Sequence, residues 1–170
     1  MHYVRLLVIS FIVLLVLVMG ISMLIPQHMR ISRTMSIAAP PDSVMAELRD
    51  VSKWRNWYPG LDSAKPYMVN GELKGYILNE DDPSNPVYIS FTEEKKEEIL
   101  ATFYPRKVNP VVNGWSMEKG SAPNTTTVQW YMNFHLRWYP WEKFASLTLE
   151  KIYGPPMEEG LANLKREVEN

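Results

Sequence analysis

The sequence predicts an α+β fold: one curved antiparallel sheet wrapped around a long C-terminal helix, preceded by a single transmembrane helix. Three observations predict it. Residues 6–25, LLVISFIVLLVLVMGISMLI, carry no charge. Apolar residues alternate with polar ones over 30–38 and again through most of 87–136, the period of a strand. From residue 141 onward the apolar positions recur at three- and four-residue spacing instead, the period of a helix. Strands in the middle with helices gathered toward the ends make an α+β layout.

The charge-free run comes first. Twenty helical residues rise about 30 Å, the thickness of a bilayer's hydrocarbon core. Only Ser10 and Ser22 bring polar side chains, and each hydroxyl can bond a carbonyl one turn back. Arg5 closes the run on one side, and Pro26, Gln27, His28 and Arg30 close it on the other. A cleaved leader would have a shorter apolar stretch and a small-x-small site; the best such site, Gly20-Ile21-Ser22, is followed by more apolar residues. A core helix would show a polar face, and a lipoprotein signal needs a cysteine that the chain lacks. Residues 1–28 are therefore expected to be a membrane anchor touching the bilayer through 6–25, and residues 29–170 one water-soluble domain. Arg5 before the run and Arg30 and Arg33 after it leave the orientation open.

About 140 residues suffice for one domain with a real core. From Arg33 onward the chain holds sixteen of the eighteen basic residues and all nineteen acidic ones, so the domain is near −3. That balance gives no basic face for nucleic acid and no polybasic patch for anionic lipid heads. The lack of cysteine removes disulfides, thiol nucleophiles and thiolate metal sites. Six Trp, nine Tyr and five Phe either crowd the core or line a hollow within it.

The elements follow in order. In 30–38, Ile31, Arg33, Met35 and Ile37 share one side, with Arg33 interrupting the apolar set. Ala39-Pro40-Pro41-Asp42 starts a helix over 41–49, since proline is tolerated at the first helical position; Val44, Met45 and Leu48 mark its inner face. A second short helix near 52–57 points Trp54 and Trp57 the same way. Asn70-Gly71 is a hairpin turn. Residues 81–86 form a loop, and 87–92 alternate with Val87, Ile89 and Phe91 on one side. The charged run 93–98 is a solvated turn between strands. Ile99, Ala101 and Phe103 share a face; so do Trp115 and Met117 in 111–118. Val128, Trp130, Met132, Phe134 and Leu136 form the clearest alternation. A helix over 141–153 is expected to break at Gly154-Pro155-Pro156, because proline lacks the donor and clashes with the preceding turn, and to resume over 157–169.

This order resembles the START-like superfamily, also called SRPBCC or polyketide-cyclase-like. The resemblance rests on residues 36–44, SIAAPPDSV, at the first strand–helix junction; on 51–57, VSKWRNW, in the second short helix; and on 160–165, GLANLK, in the last helix. It implies a helix-grip fold with a hydrophobic cavity between sheet and terminal helix. It does not imply one activity: members bind lipids or hormones, cyclise polyketides, or act as chaperone cofactors, so chemistry has to come from the site.

The expected cavity wall is apolar. It comprises Trp54 and Trp57 from the short helix, Phe91, Phe103, Trp115, Met117, Trp130, Met132 and Phe134 from strands, and Phe144 and Leu161 from the last helix. Such a wall suits small apolar molecules, and methionine adapts to their shape. His135 falls on the solvated face, opposite the apolar set, without a carboxylate to make it a general base. Three histidines, two of them flanking the apolar run, make a poor metal site; no metal and no cofactor are expected. Glu118 and Arg106 are solvated in the simplest reading, or hold a polar head group. Asn124-Thr125-Thr126 matches a glycosylation acceptor, meaningful only in a secretory setting. Trp138, Tyr139, Pro140 and Trp141 have the composition of a lipid–water interface, and facing the bilayer they would form a doorway. The sequence thus supports a membrane-anchored, non-catalytic binder of a lipid or other hydrophobic small molecule, with two alternatives: a cyclase or dehydratase using the same cavity, and a protein-interaction domain with a filled core. It names no protein partner.

Overall fold

The structure is a computed structural model that describes residues 2–79, 82, 84–106 and 109–170. Helix α1 (His2–Leu24) is followed by β1 (His28–Ile37), α2 (Pro41–Arg49), a 3₁₀ turn (Val51–Lys53) and α3 (Trp54–Trp57). Six strands come next: β2 (Lys65–Val69), β3 (Glu72–Ile77), β4 (Tyr88–Lys95), β5 (Glu98–Tyr104), β6 (Val111–Lys119) and β7 (Thr126–His135). Two helices end the chain, α4 (Pro140–Ser146) and α5 (Leu149–Glu169). The seven strands make one antiparallel sheet in the order β1-β7-β6-β5-β4-β3-β2. The first strand thus closes against the last. Helix α5 lies across the inner face against β1, β7, α2 and α3.

The alternating residues point where their period requires. Ile31, Ile37, Ile89, Ile99, Ala101, Trp115, Val128 and Trp130 are all essentially inaccessible. Asn70 and Gly71 both take positive φ in the turn between β2 and β3. The charged run at 93–98 is less of a turn than its composition suggests: β4 continues to Lys95 and β5 starts at Glu98, so only Lys96 and Glu97 turn. Of the loop expected at 81–86, Asp81 and Pro83 lie outside the described residues; Asp82 accepts hydrogen bonds from the Ser84 N–H and hydroxyl.

The C-terminal helix departs from expectation in one respect. Gly154-Pro155-Pro156 does not interrupt it. Helix α5 runs through both prolines, and the break falls earlier, at Leu147 and Thr148. The prolines sit on the exposed side of α5 between buried Gly154 and Met157. The carbonyls they leave without donors belong to Lys151 and Ile152, also exposed, where water can serve them. At the real break, side chains compete with the helical ladder. Ser146 Oγ donates to the Lys143 carbonyl and Thr148 Oγ1 to the Ala145 carbonyl.

Helix α5 approaches the sheet closely at Gly160. A β-carbon there would collide with the Trp130 ring and come within 2.9 Å of Pro59 Cδ. Gly160→Ala is expected to destabilise the domain by about 1–3 kcal/mol through overpacking, read as a lower urea midpoint for tryptophan fluorescence.

On the outer face, Tyr131 lies beneath the Arg30 guanidinium, 3.9 Å from its ring centroid, and its hydroxyl donates to Glu98 Oε1 at 2.6 Å. Burial first and the Glu98 carboxylate second push this hydroxyl up to about 12. An unfolded tyrosine loses its proton near pH 10. The folded state therefore holds the proton more tightly, and this contribution to stability is complete below about pH 10 and lost as pH rises toward 12. Tyr131→Phe should flatten that part of the stability profile in urea titrations at stepped alkaline pH.

Candidate functional site

The interior has two parts. The first is a cluster of indoles. Trp54 and Trp57 of α3, Trp115 of β6 and Trp130 of β7 are each at most 2 % exposed. Their ring centroids lie 5.4–6.3 Å apart in edge-on and tilted contacts, with Tyr58 packed against Trp57, Trp115 and Trp130. These are the separations that favour aromatic pairs. Buried Asn113 ties the cluster together: Trp130 Nε1 donates to its Oδ1 at 2.6 Å, and its Nδ2 donates to the Tyr58 hydroxyl at 3.1 Å. Burial raises the Tyr58 pKa. Trp54 Nε1 donates to the Leu48 carbonyl. The Trp57 and Trp115 indole N–H groups are buried without a partner, each an unrepaid cost of about 1–3 kcal/mol.

The second part is open. A hollow of about 400 Å³ lies where β7 ends and α4 begins. Val111, Phe134 and Leu136 form its sheet side, Trp141, Ala145 and Ser146 its α4 side, and Leu149 and Tyr153 its α5 side. That volume falls in the lower part of the range of small-molecule sites, about 300–1,000 Å³. Tyr153 packs on Phe134 at 5.1 Å and on Phe103 at 6.5 Å, and burial raises its pKa. The polar groups at the rim are committed. Glu142 accepts hydrogen bonds from the Arg137 backbone N–H at 2.9 Å and from Arg137 Nε at 2.6 Å, and a further contact runs to Nη2.

The eleven residues singled out from the sequence therefore divide. Phe134 lines the hollow, and Phe103 touches its wall through Tyr153. The four tryptophans, Met132 and Leu161 are buried in the packed core. Met117 lies under a separate depression beside α2, and Phe91 borders another beside Arg49 and Val51. Phe144 is partly exposed on α4. Tyr153 and Leu149 were missed, although their spacing with Met157, Leu161 and Leu164 marks the inner stripe of α5.

Arg33, which interrupts the apolar side of its strand, and buried Lys143 are both explained by the geometry. Arg33 faces inward on β1 but meets α5 at Gly154, where a β-carbon would stand 2.5 Å from Nη2. The guanidinium passes across that gap and binds Glu158 through Nε and Glu150 through Nη2, both at 2.5 Å. These carboxylates, Glu150 first, raise its pKa. Lys143, on α4, is only 6 % exposed. Its ammonium donates to the carbonyls of Ser22 at 3.1 Å and Ile25 at 3.0 Å, at the C-terminal end of α1. Positive charge suits that end of a helix, where carbonyls lack partners. Helix α1 is long and apolar enough to cross a membrane, and it lies directly beside the hollow's end of the domain. Trp138, Pro140 and Trp141 form an apolar groove with Phe11, Leu14, Leu15, Val18 and Met19 of α1.

His135 is exposed and stands opposite His28, with the two Nδ1 atoms 3.2 Å apart. Among the described residues, His, Cys, Asp and Glu form no group of three that could hold a metal ion. Arg106 and Glu118 are exposed.

Hydrogen bonds to a charged donor are worth about 1.5–3 kcal/mol. Lys143→Met is thus expected to speed amide hydrogen exchange around residues 22–26 at least about tenfold, while exchange in β6 and β7 stays unchanged.

The comparisons with known proteins agree with this architecture. The chain is similar in fold to the aromatase/cyclase ZhuI from Streptomyces sp. R1128, at 16% identity and a TM-score of 0.61 over 84% of this chain and 94% of that one. It is similar to a START superfamily protein from Mycobacterium smegmatis, at 15% identity and a TM-score of 0.58 over 82% and 97% of the two chains. It is also similar to truncated norcoclaurine synthase from Thalictrum flavum, at 9% identity and a TM-score of 0.60 over 83% and 93%. At such identities the likeness is one of fold. No curated protein matches the sequence. The profile of one family, described as polyketide cyclase / dehydrase and lipid transport, matches residues 28–169, nearly the whole of the chain beyond α1, and the chain therefore belongs to that START-like family.

Proposed function

We propose that this chain is a membrane-anchored, non-catalytic binding domain for a lipid or other apolar small molecule. Residues 1–28 are the anchor and residues 29–170 the binding domain. The observation that carries the reading is the hollow of about 400 Å³ between Phe134, Leu136, Leu149 and Tyr153, open beside a helix of membrane-spanning length. An apolar molecule gains about 25 cal/mol for each Å² it buries there. Tethering to a bilayer raises the local concentration of such molecules.

Lys143 supports a retained anchor over a removed leader. Its buried ammonium has its two acceptors in the end of α1, and a buried charge without partners is costly. The family description includes cyclases and dehydrases, so an enzyme is the second reading. Against it stands the state of the acid at the hollow: Glu142 is held by Arg137 through several contacts. The packed indoles would favour an interaction domain, were the whole interior like them.

Native mass spectrometry of the full-length chain, released from its membrane in mild detergent, tests the reading. One apolar molecule per chain is expected, and Ala145→Trp, which fills the hollow from α4, should reduce its occupancy at least about tenfold. A chain that emerges empty and takes up no fluorescent fatty acid overturns the proposal. A bound molecule converted into a cyclised or dehydrated product points to the enzyme instead.

A further inference from the structure

Residues 137–148 combine two properties that rarely occur together at a water-facing surface. Their apolar side chains are turned outward: Trp138 is 61 % exposed, Trp141 66 % and Leu147 62 %. Their three charged side chains and two aliphatic hydroxyls each have a partner within the protein, although the Arg137 side chain stays 45 % exposed. Arg137 and Glu142 hold each other, Lys143 caps α1, and the Ser146 and Thr148 hydroxyls donate to carbonyls one turn back. In water there is little reason to tie up every charge and expose the indoles. In hydrocarbon there is no alternative, since an unsatisfied polar group costs several kcal/mol there.

The position of the segment makes a separate argument. Trp138, Pro140 and Trp141 face Phe11, Leu14, Leu15, Val18 and Met19. Measured back from Ile25 at 1.5 Å per residue, those α1 residues lie about 9–21 Å into the helix. A segment packed at that depth beside a membrane-spanning helix lies below the headgroups.

We propose that residues 137–148 are embedded in the hydrocarbon of the bilayer beside α1, with acyl chains as the occupant of their exposed face. This rests on the reading of α1 as a membrane span. Trp141 borders both the groove against α1 and the hollow. It is then the wall between stored lipid and bound ligand, and the hollow is reached sideways from the lipid phase without passage through water.

The chain has no cysteine, so a single introduced thiol carries a nitroxide at one known place. The full-length chain is reconstituted in phosphatidylcholine vesicles with the label at Trp138→Cys, Leu147→Cys, Val13→Cys or Glu167→Cys. Electron paramagnetic resonance power saturation then compares accessibility to oxygen, which concentrates in lipid, with accessibility to a water-soluble nickel chelate. All four sites are exposed, and an unchanged far-ultraviolet circular dichroism spectrum with an unchanged urea midpoint reports an intact fold. The expected result is a shift toward oxygen at 138 and 147 matching that at 13, with the opposite balance at 167. Nickel-dominated relaxation at 138 and 147 with oxygen-dominated relaxation at 13 overturns this inference alone and leaves the anchored binder standing. Nickel-dominated relaxation at 13 as well overturns both.

Discussion

The packing of four indoles against α5 is the constraint on which the remaining architecture depends. Trp54, Trp57, Trp115 and Trp130 come from three separate elements and meet in one place. No smaller set of side chains would fill the same volume, and interiors of this density do not tolerate voids. Gly160 is what lets the helix settle on them. With that half of the interior occupied, the hollow of about 400 Å³ lies toward the end of β7. The hollow's position is therefore a result of where the tryptophans are, as much as of the residues that line it.

Much of the fold was legible because it depends on period. Alternation from Val128 to Leu136 identified β7, which runs from Thr126 to His135, and the strands between the short helices and the C-terminal helical stretch were countable. What failed was local. Pro155 and Pro156 read as a break, yet a helix tolerates them when the freed carbonyls face water and the neighbours on the other side, Gly154 and Met157, are buried. The site was less legible than the fold. Alternation says that Trp115 and Phe134 both point inward, but it does not say which one meets solid packing and which meets space. That depends on contacts between elements distant in the chain. Lys143 is the extreme case: nothing in its surroundings, WEKFAS, marks it as buried, because its partners lie more than a hundred residues earlier.

Charge inside this protein follows one rule. Arg33 crosses α5 through the notch at Gly154 to reach two carboxylates, Lys143 reaches two carbonyls of α1, and Glu142 is held by Arg137. Lys143 and Glu142 sit at the end of the domain that α1 joins, and Arg33 lies farther along β1, opposite Trp130. Pairing of Lys143 and Glu142 keeps the contact between α1 and α4 apolar without leaving either charge uncompensated.

The two prolines of α5 have a mechanical consequence. Two successive rungs are missing from the hydrogen-bond ladder at one point along the rod, which makes that point more compliant than the rest. On one side of it, Leu149 and Tyr153 line the hollow; on the other, Met157, Leu161 and Leu164 are wedged into the core. Bending is absorbed at the joint, so the first turn, and with it one wall of the hollow, can shift while the tryptophan-packed half keeps its seat.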